Sequence, residues 1–109
     1  MMWMSNWSSF NHGRSIGTVS PEGGRILYDE EHSGGARITL KRGRDYISIS
    51  LNIYGWLEHT RFFNLDSEAQ REYKTMRAAI NEMMALINRD GVSDLKIWEA
   101  ISDFVRRFP

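Results

Sequence analysis

The sequence predicts an α+β fold in which an antiparallel sheet comes first along the chain and helices follow. Short segments of alternating apolar and polar residues, separated by glycine-containing turns, occupy residues 14–63. After residue 67 the apolar residues recur at spacings of three and four, which is the helical period. A chain of 109 residues is the usual length of one domain. We therefore predict a single domain over residues 1–109, in which residues 1–12 form an aromatic-rich N-terminal arm.

The first half divides into five extended segments, which predicts a meander of four to five antiparallel strands. The predicted segments are residues 15–20, 25–30, 36–42, 46–53 and 56–63. Turns rich in glycine separate them, for example Pro21-Glu22-Gly23-Gly24 and Ser33-Gly34-Gly35.

The fourth segment has the clearest alternation, and it predicts a sheet with one apolar face and one polar face. Four apolar residues alternate there with polar ones, namely Ile47, Ile49, Leu51 and Ile53. The third segment repeats the pattern with Ile38 and Leu40 between Arg37, Thr39 and Lys41. The last segment is ambiguous, because an edge position and burial on both sides at one end both fit its residues.

Two helices are predicted, over about residues 67–89 and 94–107. Ser67 with Gln70 fits a capping box at the first helix start, and Ser93 fits the N-cap of the second. An apolar stripe runs along one face of the first helix for about six turns. Because an apolar sheet face needs a cover, we expect the long helix to lie across it.

Composition excludes several classes of protein. The chain has no cysteine, which rules out a disulfide scaffold, thiolate metal sites and a cysteine nucleophile. It has 14 basic and 14 acidic residues, without the excess of one sign that duplex DNA binders and anionic-membrane binders normally show. No stretch resembles a secretion signal or approaches the roughly 20 apolar residues of a membrane span. We expect a cytoplasmic location and no membrane partner.

The polar sheet face is the first candidate site. Six residues define the predicted binding face: Arg37, Lys41, Tyr46, Ser48, Ser50 and Trp56. Cations could follow a sugar–phosphate backbone while Tyr46 or Trp56 stacks on a base. The order of elements resembles the single-stranded-nucleic-acid-binding folds of the PC4, Whirly and Pur-alpha type. The resemblance covers that order alone and transfers no binding residue to this chain.

Surplus apolar residues indicate a second candidate surface, which suits a homodimer or a protein partner. Tryptophan is favoured in interface anchors, and two tryptophans lie in the N-terminal arm. The arm could dock on its own sheet or on a second copy. The predicted interface residues are Trp3, Trp7, Met84, Leu86 and Trp98.

Catalytic and metal-binding patterns are absent from the sequence. His59 and Arg61 would share a strand face, but no phosphate loop, nucleophile elbow or zinc-binding helix motif is present. The run Asp29-Glu30-Glu31-His32 would point alternate side chains to opposite faces of a strand. We therefore predict no cofactor, metal or catalytic residue. The leading interpretation is a non-catalytic protein-interaction or assembly module, followed by single-stranded nucleic-acid binding and then by a small enzyme.

Overall fold

The computed structural model describes residues 6–109, and it confirms the predicted α+β meander. The five strands are β1 (Trp7–Ser9), β2 (Arg25–His32), β3 (Ala36–Arg42), β4 (Ile47–Ile53) and β5 (Leu57–Phe63). They form one antiparallel sheet in the order β1-β2-β3-β4-β5. Two helices follow, α1 (Asp66–Ile87) and α2 (Asp94–Arg107).

The register of β3 and β4 produces the predicted two-sided sheet. Leu40 lies opposite Ile49 and Ile38 lies opposite Leu51, so their side chains share one face. All four of these side chains are buried in one core with apolar residues of α1 and α2. The opposite surface, called the open face below, presents the residues between them in the two strands.

The helices cover the apolar face, and their ends differ from each other. At α2 the Ser93 hydroxyl accepts a hydrogen bond from the Lys96 N–H at 3.2 Å, as an N-cap does. The predicted capping box at Ser67 is wrong. α1 begins at Asp66, so its N-cap residue is Leu65, whose side chain forms no capping hydrogen bond. Asp66 in the first turn forms an ion pair with Arg42 instead. Within residues 6–109, no helix has the length and apolar character to span a membrane.

The first strand is the main correction to the predicted topology. Residues 15–20 form turns with a single bridge between Val19 and Arg25, whereas β1 comes from the N-terminal arm. Local hydrogen bonds explain the difference, since Thr18 donates from both its N–H and its hydroxyl to the Ser15 carbonyl. Gly17, with φ of +83°, adopts a left-handed conformation that a strand does not contain.

Candidate binding site on the open sheet face and the β5 edge

The open face contains two adjoining depressions of about 550 and 500 Å³. Both are bordered by Glu22 from the loop before β2 and by Lys41 from β3. Ser50 and Thr60 lie on the floor of both. The result is a shallow groove along β4 and β5 with hydroxyl groups on its floor.

Arg37 lies on the open face as predicted, but its guanidinium is held by the protein itself. Its Nε and Nη2 donate to the two carboxylate oxygens of Asp29, at 2.9 and 2.7 Å. The Asp29 side chain is fully buried and also accepts a hydrogen bond from Thr39. The hydrogen bonds to Asp29 raise the pKa of Arg37. The Phe10 ring lies 3.5 Å from the guanidinium carbon, so little of this charge is available to a ligand.

Lys41, the second predicted cation, is also partly neutralised. Its ammonium group lies 4.0 Å from the Glu22 carboxylate, and only 14% of its side chain is exposed. A backbone hydrogen bond, the Ser20 hydroxyl and the Lys41 charge lower the pKa of Glu22, so this carboxylate stays ionised at neutral pH. The groove therefore has no net excess of positive charge at its centre.

The predicted serines lie on the groove floor with different exposures. Ser48 is buried, whereas Ser50 is half-buried and its hydroxyl lies 3.3 Å from that of Thr60 on β5. The floor consequently offers paired hydroxyl groups but no charge.

Tyr46 lies at one end of the groove, where it forms an aromatic pair with Phe62 of β5. The two ring centroids are 5.1 Å apart and the rings are nearly perpendicular. The residues are 49% and 63% exposed, respectively. Phe62 was missed as a site residue; the signal that could have found it is its spacing of two from Thr60, which puts both side chains on one face of the strand.

Trp56 does not belong to this face, which corrects its predicted role in stacking. It lies in the turn before β5, and its ring centroid is 5.1 Å from that of Trp98 on α2. Trp56 is partly buried and packs against the core.

β5 forms one edge of the sheet. β5 is seven residues long, and among residues 6–109 it pairs with β4 alone, without a register shift. At the other edge, β1 is three residues long. On the open face, β5 presents Glu58, Thr60 and Phe62, all of them exposed.

His59 and Arg61 share one face of β5, as predicted, and the structure shows that this face is turned toward the helices. Both side chains are bonded to neighbouring segments. His59 Nε2 lies 2.6 Å from the Phe108 carbonyl oxygen. Arg61 donates to Glu72 of α1 at 2.7 Å and to the Pro109 carbonyl at 3.2 Å. These contacts connect β5 to α1 and to the two residues that follow α2.

The described part of the arm docks on its own sheet. The Trp7 ring meets the His32 ring edge-on at 4.9 Å and also lies near Arg77 of α1. Asn6 accepts a backbone hydrogen bond from Ser33. Trp3 lies outside the described residues.

The three predicted interface residues on the helices have different environments. Met84 is 2% exposed and belongs to the core, so it does not contribute the surface expected of it. Leu86 is partly exposed and Trp98 is about half exposed. The homodimer stays a prediction.

The acidic run divides between the two faces of β2, as the strand period predicts. Asp29 and Glu31 lie on the open face, whereas Glu30 and His32 face the helices. Glu30 accepts a hydrogen bond from the Tyr73 hydroxyl at 2.8 Å and pairs with Arg77. Over residues 6–109, no three carboxylate or imidazole side chains gather as metal ligands would.

Comparison with known proteins identifies no relative: no family model, curated protein or solved structure matches this chain.

Proposed function

We propose that this protein is a protein-interaction module that binds an extended segment of a partner along the outer edge of β5. The main support is the unequal length of the two sheet edges. At one edge, β1 pairs with the last three residues of the eight-residue β2, and Gly17 and Thr18 bond to Ile26 near its start. At the other edge, all seven residues of β5 lack an outer strand in the part of the chain that the structure describes. Backbone N–H and C=O groups on such an edge can form a ladder with an added strand.

Natural proteins usually protect long sheet edges with charges, proline or bulges. β5 contains no proline, and its pairing with β4 is regular. Arg61 forms a hydrogen bond with Glu72 of α1, so its charge does not protect the outer edge of β5 against strand pairing. Only Glu58 adds a charge on the open face of β5. This weak protection favours an edge that binds a partner.

Peptide binding tests this proposal. Random ten-residue peptides would be selected by display on the purified protein, and the best binders would be mapped by amide chemical shifts. We expect the shifts to concentrate on β5 and on Tyr46. As a control, the same peptide with alternate N-methyl amides keeps its side chains but loses backbone donors, so binding should fail. Absence of any binder, binders on the helices, or equal binding of the N-methylated peptide would contradict the proposal.

We place single-stranded nucleic acid second among the functions. The exposed rings of Tyr46 and Phe62 could stack on bases. However, Arg37 is engaged by Asp29 and Lys41 lies beside Glu22, so the groove lacks the positive surplus that phosphate binding requires.

A further inference from the structure

The open-face side chains of β5 change along the strand from acidic to hydroxyl to aromatic. This order determines which side chains of an added strand would be favourable beside them. Glu58 is exposed and forms no ion pair with any of residues 6–109. Thr60, two residues further on, contributes its hydroxyl to the groove floor. Phe62, a further two residues on, has an exposed ring against Tyr46.

An added strand places its own side chains beside these three residues. Residues directly opposite each other in neighbouring strands share a face, with their Cβ atoms about 5 Å apart. A cation is the favourable neighbour for Glu58, and an apolar side chain is favourable beside Phe62. All the pairings in this sheet are antiparallel, and antiparallel ladders are slightly more stable than parallel ones.

A second copy of β5 fits this edge less well than a different segment. In a symmetric antiparallel pair, the open face of one copy continues into the open face of the other, so Glu58, Thr60 and Phe62 could meet only one another. None of these residues is cationic. Every register of self-pairing therefore leaves Glu58 without an opposite charge.

Resting on the proposed function, we infer that the β5 edge selects an extended segment in which an apolar residue precedes a lysine or arginine by four positions, with a small polar residue midway. The apolar residue lies beside Phe62, the polar residue beside Thr60 and the cation beside Glu58.

A charge-swap experiment tests this order. The probe is the peptide Thr-Ile-Val-Thr-Val-Lys-Thr, with blocked ends, and its matched partner has glutamate in place of lysine. Titrations followed by amide chemical shifts give both affinities. We expect the lysine peptide to bind about 2- to 10-fold more tightly, because lysine attracts Glu58 across the strands whereas glutamate is repelled by it. In Glu58→Lys the preference should reverse.

Glu99→Lys is the matched control, because Glu99 is exposed on α2 and the net charge changes equally. This variant should keep the preference for the lysine peptide. Equal reversal in Glu99→Lys would show a general charge effect and overturn the inference. Binding at β5 with a preference that Glu58→Lys leaves unchanged would overturn the inference alone, whereas failure of both peptides and of every selected peptide to shift β5 would overturn the proposed function as well.

Discussion

Arg37 and Asp29 form a two-point ion pair across neighbouring strands, with the carboxylate fully buried beneath the open face. Loss of the guanidinium would leave a buried carboxylate without its main partner. We expect Arg37→Ala to lower the free energy of unfolding by about 3 kcal/mol, as measured by urea denaturation. Arg89→Ala, at an exposed arginine after α1, should change it by less than about 0.5 kcal/mol. Equal effects of both changes would show that the Arg37 pair does not stabilise the fold.

The two faces of β4 should respond differently to truncation. Ile49 is fully buried under the helices, so Ile49→Ala should reduce the free energy of unfolding by about 2–5 kcal/mol. Ser50→Ala on the open face should cost less than about 1 kcal/mol, because among residues 6–109 its hydroxyl makes one long hydrogen bond, to Thr60 at 3.3 Å. Chemical denaturation of both variants measures this. A larger loss for Ser50→Ala than for Ile49→Ala would mean that the faces are assigned the wrong way round.

The alternation in β3 and β4 was sufficient to predict the faces, because a period of two fixes which side chains share a side. The first strand could not be predicted the same way, since residues 15–20 have strand-like composition but make local turns. The Arg37 ion pair was missed because it depends on the register between β2 and β3. Counting outward from the Ser33-Gly34-Gly35 turn would have placed Asp29 and Arg37 on one face.

For β5, the sequence was compatible with two positions: an edge of the sheet, or burial on both sides at one end. Glu58 and Thr60 favoured an exposed face, while Leu57 and Phe63 also permitted burial. The edge follows from the strand order, to which no segment beyond β5 contributes among residues 6–109. Sequence periodicity predicts the sheet face on which a side chain lies. It does not predict whether a further strand pairs with the outer edge of that strand.

Tyr54 should make stability fall at high pH. Its hydroxyl donates to Glu31 at 2.7 Å, and burial together with Glu31 raises the pKa of Tyr54 from 10.0 to about 12. The folded state thus favours the neutral phenol, so this contribution is complete below pH 10 and is lost as pH rises through about 12. Urea denaturation at pH values between these limits should show a shallower decline for Tyr54→Phe than for the unchanged protein. Identical declines would contradict this assignment.

Single-stranded nucleic acid should bind weakly, because Arg37 and Lys41, the predicted cations of the open face, lie beside carboxylates. Fluorescence anisotropy with a short labelled strand at low salt checks this, and we expect no salt-sensitive signal. Salt-sensitive binding that Tyr46→Ala and Lys41→Ala both weaken would move the nucleic-acid function ahead of the peptide function.

Amide hydrogen exchange along β4 and β5 tests the open edge most directly. In the free protein we expect every second amide of β5 to exchange rapidly, because its N–H points away from β4, while β4 amides exchange only on global unfolding. Addition of a selected peptide should protect those rapid β5 amides. Protection of all β5 amides in the free protein, or no change on saturation with peptide, would contradict the account.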